Sequence, residues 1–232
     1  MTDPLSRSYE SFYRERDAHH VYAVEFVVRA FLGNYPRLKT DRSAYPGRSV
    51  LDLGFGDGRN MPLLHNLGMT VYGVEISQAI CELTEQRMAR LGIGVTTRVG
   101  RNRAIPFVDA FFDYVLACHA CYYVDRKTRF ADNAREIGRV LKSGGTFIFS
   151  APMTSSYILK GACDLGDRHM EIVNDPYGVR NGSILKSFAD EAEIAASLTP
   201  AFENFAIGSC RNDFWGIEEH VWIVVCRRST RG

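Results

Sequence analysis

One stretch, residues 50–60, constrains the fold more than any other, and it reads VLDLGFGDGRN. Its apolar residues Val50, Leu51 and Leu53 predict the end of a buried strand, and its alternating glycines predict a tight turn into a helix. Glycine has no Cβ, so the backbone of such a turn can come close to a bound ligand. A strand, a glycine turn and a helix start therefore predict an α/β fold with a nucleotide-like ligand at the turn.

The spacing of the glycines distinguishes between ligand classes. A dinucleotide-binding turn has a third glycine three residues after the second, but Arg59 stands there. The pattern is instead an acid, Asp52, followed by three alternating glycines, and it resembles motif I of the class I S-adenosylmethionine-dependent methyltransferases. The resemblance implies that the turn packs against the cofactor's ribose and amino-acid tail, with Asp52 near the tail's ammonium. The predicted cofactor-binding residues of this motif are Asp52, Gly54, Phe55, Gly56, Gly58 and Asn60.

A second acid follows the next predicted strand. Residues 69–74 form an apolar run that ends in Glu75, some twenty residues after the glycine turn. An α/β nucleotide site keeps a carboxylate at this place for the ribose hydroxyls, and one carboxylate can accept from both. A solvated strand end is the alternative for Glu75. The spacing favours the ribose, and we count Ile76 with the cofactor-binding residues.

A loop after the third predicted strand, residues 100–107, resembles the family's loop in which Gly-Asp-Ala is followed by Leu-Pro-Phe. Arg101 departs from that pattern, because the family usually has an acid there that binds the adenine amino group. Asn102 could replace it, since an amide offers both a donor and an acceptor. We therefore predict that Arg101 and Asn102 lie at the adenine.

The fourth predicted strand, residues 111–117, resembles the family's Phe-Asp-x-Val strand and leads to the candidate catalytic residues. Cys118 and His119 come directly after it, and the resemblance implies that Cys118 contacts the cofactor. His119 is the first candidate for a general base, because imidazole titrates near neutral pH; its alternatives are lining the cofactor pocket or orienting the substrate. His169, in an irregular segment, is the second candidate, with a solvated loop position as its alternative.

The resemblance implies a Rossmann-like, doubly wound α/β fold with a seven-stranded sheet, mostly parallel with an antiparallel C-terminal hairpin. Residues 6–35 are predicted to be helical, and Tyr13 is predicted to lie over the cofactor; packing on the sheet edge is the alternative. We expect a single domain, residues 1–232. Its predicted parts are a helical lid region (1–47), a cofactor-binding core (48–150), a substrate-covering segment (151–190) and a C-terminal helix and hairpin (191–232).

Composition excludes several classes of function. The formal net charge is +1, and a nucleic-acid partner usually requires a basic excess. No apolar run approaches the about 20 residues of a membrane helix. Six scattered cysteines indicate reduced thiols in a cytoplasmic protein. The chain has a C-x-x-C sequence but no second pair at zinc spacing, so we expect no metal.

The predicted function is S-adenosylmethionine-dependent methyl transfer to an oxygen or nitrogen of a small polar molecule, such as a sugar or natural-product intermediate. The fourth strand lacks the Asn/Asp-Pro-Pro-Tyr/Phe motif of enzymes that methylate nucleic-acid amino groups. The alternatives are a nicotinamide-dependent oxidoreductase and a non-catalytic cofactor-binding subunit. The sequence leaves the acceptor and the oligomeric state open.

Overall fold

The computed structural model describes residues 4–15 and 21–230. The helices within these ranges are α1 (Pro4–Glu15), α2 (Glu25–Leu32), α3 (Met61–Asn66), α4 (Gln78–Arg90), α5 (Phe130–Val140) and α6 (Glu191–Leu198). The strands are β1 (Asn34–Tyr35), β2 (Leu38–Lys39), β3 (Ser49–Leu53), β4 (Thr70–Glu75), β5 (Thr96–Val99), β6 (Phe112–Ala117), β7 (Tyr123–Val124), β8 (Leu141–Pro152), β9 (Cys163–Asp164), β10 (His169–Glu171), β11 (Ile184–Lys186), β12 (Phe202–Phe214) and β13 (Ile217–Arg228).

The main sheet has seven strands in the order β12-β13-β8-β6-β3-β4-β5. Strands β3, β4, β5, β6 and β8 are parallel, whereas β13 is antiparallel to both β8 and β12. The predicted fold, a mostly parallel seven-stranded sheet closed by an antiparallel C-terminal hairpin, is therefore confirmed.

The sheet is buried on both faces, and consecutive residues of one strand serve different faces. Phe147 and Phe149 pack into a core with residues of α5 and α6, whereas Ile148 packs into a core with residues of α2, α3 and α4. A strand covered on both faces needs an unbroken apolar run, and this is why residues 147–149 show no alternation of polarity.

The strand order reverses between β3 and β6, and an open α/β sheet binds its ligand at such a point. The glycine turn follows β3 there. Gly54 has φ +68°, and a Cβ added to it would lie 2.5 Å from the Cβ of Ala120. Only glycine fits this position, so the turn can pass close to the loop that follows β6.

Two expectations about secondary structure are wrong. In the predicted helix over residues 6–35, residues 21–24 are not helical, and residues 34–35 form β1, which pairs with β2. Residues 16–20 lie outside the described ranges. The segment around His169, expected to be irregular, contributes β9 and β10 to a small antiparallel sheet of order β7-β11-β10-β9. Each of these strands is only two or three residues long and pairs with another short segment of the chain. Strands this short leave no recognisable alternation of polar and apolar residues in the sequence.

Candidate functional site

A cavity of about 910 Å³ lies at the carboxyl ends of the central strands. Its volume falls within the range of about 300–1,000 Å³ that is typical of small-molecule sites. Besides the glycine turn, its walls come from α1, the segment 151–190 and the tip of the β12–β13 hairpin. The predicted site residues on the wall are Tyr13, Gly54, Phe55, Asn60, Glu75, Ile76, Arg101, Asn102, Cys118 and His119.

Three predicted residues of the glycine motif lie behind this wall. Asp52 is fully buried beneath the turn. A Cβ on Gly56 would come within 2.3 Å of the Tyr13 hydroxyl oxygen, and a Cβ on Gly58 within 2.5 Å of Thr84 Cγ2. These two glycines therefore allow α1 and α4 to pack closely on the turn.

Two buried carboxyls lie near the glycine turn, Glu75 on the cavity wall and Asp52 behind it. Among the described residues, neither carboxylate oxygen of Asp52 has a hydrogen-bond partner. Burial, with the nearby Asp57 and Glu75, raises the Asp52 pKa to about 8. Burial also raises the Glu75 pKa to about 7, although its Oε2 accepts from the Ile76 N–H at 3.1 Å. Such carboxyls become fully ionised only beside a cation or several donors.

Helix α1 is held over the cavity by polar contacts from two neighbouring residues near its middle, Tyr9 and Glu10. The Ser77 hydroxyl donates to Glu10 Oε1, and the Tyr9 and Tyr123 hydroxyl oxygens are 2.8 Å apart. The start of α2 is fixed to the glycine turn, because the Val24 N–H donates to Asn60 Oδ1 at 3.1 Å. These contacts place the phenol of Tyr13 on Gly56.

The residues predicted at the adenine differ in their surroundings. Arg101 is exposed at the rim, in an isolated bridge with Ala104. The Asn102 side-chain amide donates to the backbone oxygens of Ala120 at 2.8 Å and of Tyr123 at 3.3 Å. Asn102 therefore also fixes the loop after β6.

His119 is held in a strained and specific orientation. Its φ is +54°, a value uncommon outside glycine and often found at functional positions. The buried Ser150 Oγ accepts from the His119 N–H at 2.9 Å and lies 3.2 Å from Nδ1. The other ring nitrogen, Nε2, lies 3.8 Å from Glu219 Oε1. Burial lowers the pKa of His119, and Glu219 partly offsets this, so the neutral ring that a general base requires is favoured.

His169 is not brought to this cavity. It lies on β10 opposite Lys186, lines a separate cavity of about 260 Å³, and is 2% exposed. Its Nδ1 lies 3.3 Å from the Gly166 carbonyl oxygen. The pairing of β10 with β11 fixes this placement, and we do not retain His169 as a candidate base.

The structure adds two side chains to the site that the sequence did not single out. Ser150 lies in β8 just after the last residue that pairs with β6, so its closeness to His119 could have been expected from strand order. Glu219 lies on β13, far away in the sequence, and no motif marks it. Its position depends on the antiparallel pairing of β13 with β8.

Comparison with known proteins assigns the central part of the chain. Residues 51–149 match the family described as a methyltransferase domain. These residues form a class I S-adenosylmethionine-dependent methyltransferase domain. The match begins just before Asp52 and ends within β8, so it spans the glycine turn, Glu75 and His119. The chain is an enzyme of this class, as predicted, rather than a nicotinamide-dependent oxidoreductase.

The relatives of this methyltransferase match different shares of its chain. It is 26% identical over 196 residues to the sarcosine/dimethylglycine N-methyltransferase of Halorhodospira halochloris, which covers 75% of this chain and 69% of that protein. It is 35% identical over 75 residues to a protein-L-isoaspartate O-methyltransferase of Methylorubrum populi, covering 32% of this chain and 35% of that protein. The crystal structure of an S-adenosylmethionine-dependent methyltransferase from Methanosarcina mazei superposes with a TM-score of 0.68 at 17% identity. That superposition covers 90% of this chain and 99% of the other, and it shows the fold.

S-adenosylmethionine is the cofactor, and the cavity fits it. The cofactor carries an ammonium and a sulfonium, and the unpartnered Asp52 and the buried Glu75 supply negative charge beside the glycine turn. A nicotinamide dinucleotide would bring a pyrophosphate to the glycine turn and no ammonium to partner Asp52.

Other chemistry has little support within the described ranges. Residues 4–15 and 21–230 contain no group of three His, Cys, Asp or Glu side chains that could hold a metal ion. Burial raises the pKa of the Cys118 and Cys121 thiols, which disfavours the thiolate that redox chemistry requires. Among the described helices, each is too short or too polar to span a bilayer.

Proposed function

We propose that this enzyme transfers the methyl group of S-adenosylmethionine to a nitrogen or oxygen of a small polar molecule. The observation that carries the proposal is the buried Asp52 carboxyl, which has no hydrogen-bond partner among the described residues and lies beneath the glycine turn. An unpaired buried carboxylate is costly, and the ammonium of the cofactor's tail would supply the missing partner. A cytoplasmic location remains a prediction from cysteine usage.

Different predicted residues would bind different parts of S-adenosylmethionine. Asp52 and Gly54 would hold the amino-acid tail, with Tyr13 closing over it from α1. Glu75 would accept from both ribose hydroxyls. Ile76 would pack on the adenine, and the Asn102 side-chain oxygen would accept from its amino group while the nitrogen remains bonded to Ala120 and Tyr123.

The acceptor is proposed to be small because the cavity is covered. Helix α1, the segment 151–190 and the hairpin tip all contribute to its wall, which suits their proposed roles as lid and substrate cover. The relatives are named for transfer to nitrogen and to oxygen, so both atoms stay within the proposal.

His119 is proposed as the general base. S-adenosylmethionine supplies an electrophilic methyl group on a positively charged sulfur, so alignment of the acceptor is the main requirement. Ser150 holds Nδ1, which leaves Nε2 to take the proton of an acceptor hydroxyl or ammonium. Glu219, at 3.8 Å, would stabilise the imidazolium that forms.

Calorimetric titration with S-adenosylhomocysteine tests the cofactor part of the proposal. Wild-type protein should bind it, and Glu75→Ala should bind about tenfold to hundredfold more weakly because two hydrogen bonds to a charged group are lost. The matched control is Glu82→Gln, an exposed position on α4, which should bind like the wild type. Folded wild-type protein that does not bind would refute the proposal.

Methyl transfer to a metabolite extract, measured with labelled S-adenosylmethionine, tests the catalytic part. A labelled small molecule is the expected product. Binding of S-adenosylhomocysteine without any labelled small-molecule product would contradict the proposed acceptor.

A further inference from the structure

One cation, Arg180, lies on the cavity wall with a charge that the protein balances only in part. It belongs to the segment 151–190, and its side chain is 24% exposed. Its Nη1 is 3.4 Å from each oxygen of Asp175, at the long end of a hydrogen bond. Its other terminal nitrogen, Nη2, makes no hydrogen bond to a described residue.

The Asp175 carboxylate mainly accepts hydrogen bonds from the backbone. Its oxygens accept from the backbone N–H groups of Tyr177 at 3.2 Å, Val179 at 3.0 Å and Arg180 at 2.9 Å. These bonds fix the turn that precedes Arg180. Asp175 therefore shapes the loop and aims the guanidinium, and its long contact does not saturate the guanidinium's donors.

Several tyrosine side chains also surround Arg180. Its Nε donates to the Tyr123 hydroxyl at 3.2 Å. Burial raises the pKa of Tyr9, Tyr122 and Tyr157, so these rings stay uncharged near neutral pH. A partly desolvated guanidinium among uncharged rings is a strong site for a carboxylate, which it can bind through two parallel hydrogen bonds.

The position of Arg180 relates this site to the chemistry. Its charge is among the groups that lower the pKa of His119, whereas the charge of Glu219 raises it. Arg180, His119 and Glu219 also line the same cavity. A small acceptor could bind Arg180 at one end and present its reacting nitrogen or oxygen to His119 at the other.

We propose that the methyl acceptor is a small carboxylic acid with an amine or hydroxyl group, and that Arg180 binds its carboxylate. This inference rests on the proposed function and adds the chemical class of the acceptor. In the transfer step the acceptor's lone pair forms the bond to the methyl carbon. The carbon–sulfur bond breaks with its electrons going to sulfur, and the acceptor's proton goes to His119 Nε2.

The test compares acids with their uncharged isosteres. Protein saturated with S-adenosylhomocysteine, and the same protein without it, is titrated with amino acids, hydroxy acids and aromatic acids, each paired with its primary amide. Glycine and glycinamide, or 4-hydroxybenzoate and 4-hydroxybenzamide, are such pairs. We expect at least one acid to bind about 100-fold more tightly than its amide.

Variants locate the effect at Arg180. Arg180→Gln should remove the preference for the acid, and Arg180→Lys, which keeps the charge but not the planar fork, should restore only part of it. The matched control is Arg168→Gln, an exposed arginine of the same segment that pairs with Glu193 and should leave the preference intact. All three variants should still bind S-adenosylhomocysteine, which shows that they are folded.

Two results would overturn the inference: equal binding of acids and amides throughout the panel, or an unchanged preference for the acid in Arg180→Gln. Methyl transfer to an uncharged acceptor with either result would leave the proposed function standing. Failure to bind S-adenosylhomocysteine would instead count against the proposed function, and the acid and amide titrations would still decide the role of Arg180.

Discussion

Cofactor binding to this enzyme should release protons, because two carboxyls that the fold keeps partly protonated would become ionised. Asp52, with a pKa of about 8, and Glu75, with a pKa of about 7, are both buried. The tail ammonium beside Asp52 and the ribose hydroxyls on Glu75 would each favour the charged form. The informative perturbation is Asp52→Asn, which keeps the shape and removes the titrating group.

The magnitude follows from the two pKa values. Near pH 7, a carboxyl with a pKa of about 8 is about nine-tenths protonated and one with a pKa of about 7 is about half protonated. Full ionisation on binding would therefore release about 1.4 protons, and Asp52→Asn would reduce this to about 0.5. The variant should also bind roughly 100-fold more weakly, since the ammonium loses a buried partner.

Calorimetric titration with S-adenosylhomocysteine in phosphate and in Tris measures the effect, because the two buffers take up protons with different enthalpies. The difference in heat divided by the difference in buffer enthalpy gives the number of protons released. Asp109→Asn changes an exposed carboxylate and should match the wild type. Proton release that is near zero, or that is the same in Asp52→Asn, would refute the pairing of the ammonium with Asp52.

The raised pKa of Asp52 also predicts how the free energy of unfolding of Asp52→Asn differs from that of the wild type as the pH changes. Because the folded-state pKa of Asp52 is raised, the wild type should lose about 1.4 kcal/mol for each pH unit between the unfolded value of about 4 and the folded value of about 8. Asp52→Asn should therefore gain stability over the wild type as the pH rises through this window, in urea unfolding without cofactor. A constant difference would contradict the raised pKa.

Three further predictions concern the lid, the base and the core. Gly56→Ala should weaken S-adenosylhomocysteine binding about tenfold by displacing Tyr13, and in calorimetry it should add little to Tyr13→Ala; additive losses would separate the two. His119→Gln should lower kcat about 100-fold or more with cofactor affinity nearly unchanged. The kcat of the wild type should decline below the lowered His119 pKa, and His119→Gln should abolish that decline; a retained decline would exclude His119. Phe147→Ala should reduce the free energy of unfolding by about 3–5 kcal/mol in urea, because Phe147 is fully buried against Phe149 and Phe202; a loss below about 1 kcal/mol would contradict this packing.

The sequence by itself determined the cofactor and the central sheet. Asp52, the alternating glycines and Glu75 are readable because each belongs to a short local pattern, a strand followed directly by a turn or by an acid. Strand β3, residues 49–53, ends at Leu53 directly before the glycine turn, as predicted. The glycine spacing also separated this family from the dinucleotide-binding enzymes, since a single residue, Arg59, breaks the other motif.

Only the tertiary structure decided which side chains meet in the cavity. His119 and His169 were the first and second sequence candidates for the base. Strand pairing brings His119 beside Ser150 and Glu219 and places His169 on the wall of another cavity. The surroundings of Arg180 were decided in the same way, because tyrosine side chains from other segments of the chain lie around it. Local patterns record the conformation of neighbouring residues, whereas an active site depends on contacts between residues that are distant in the chain and leave no period in it.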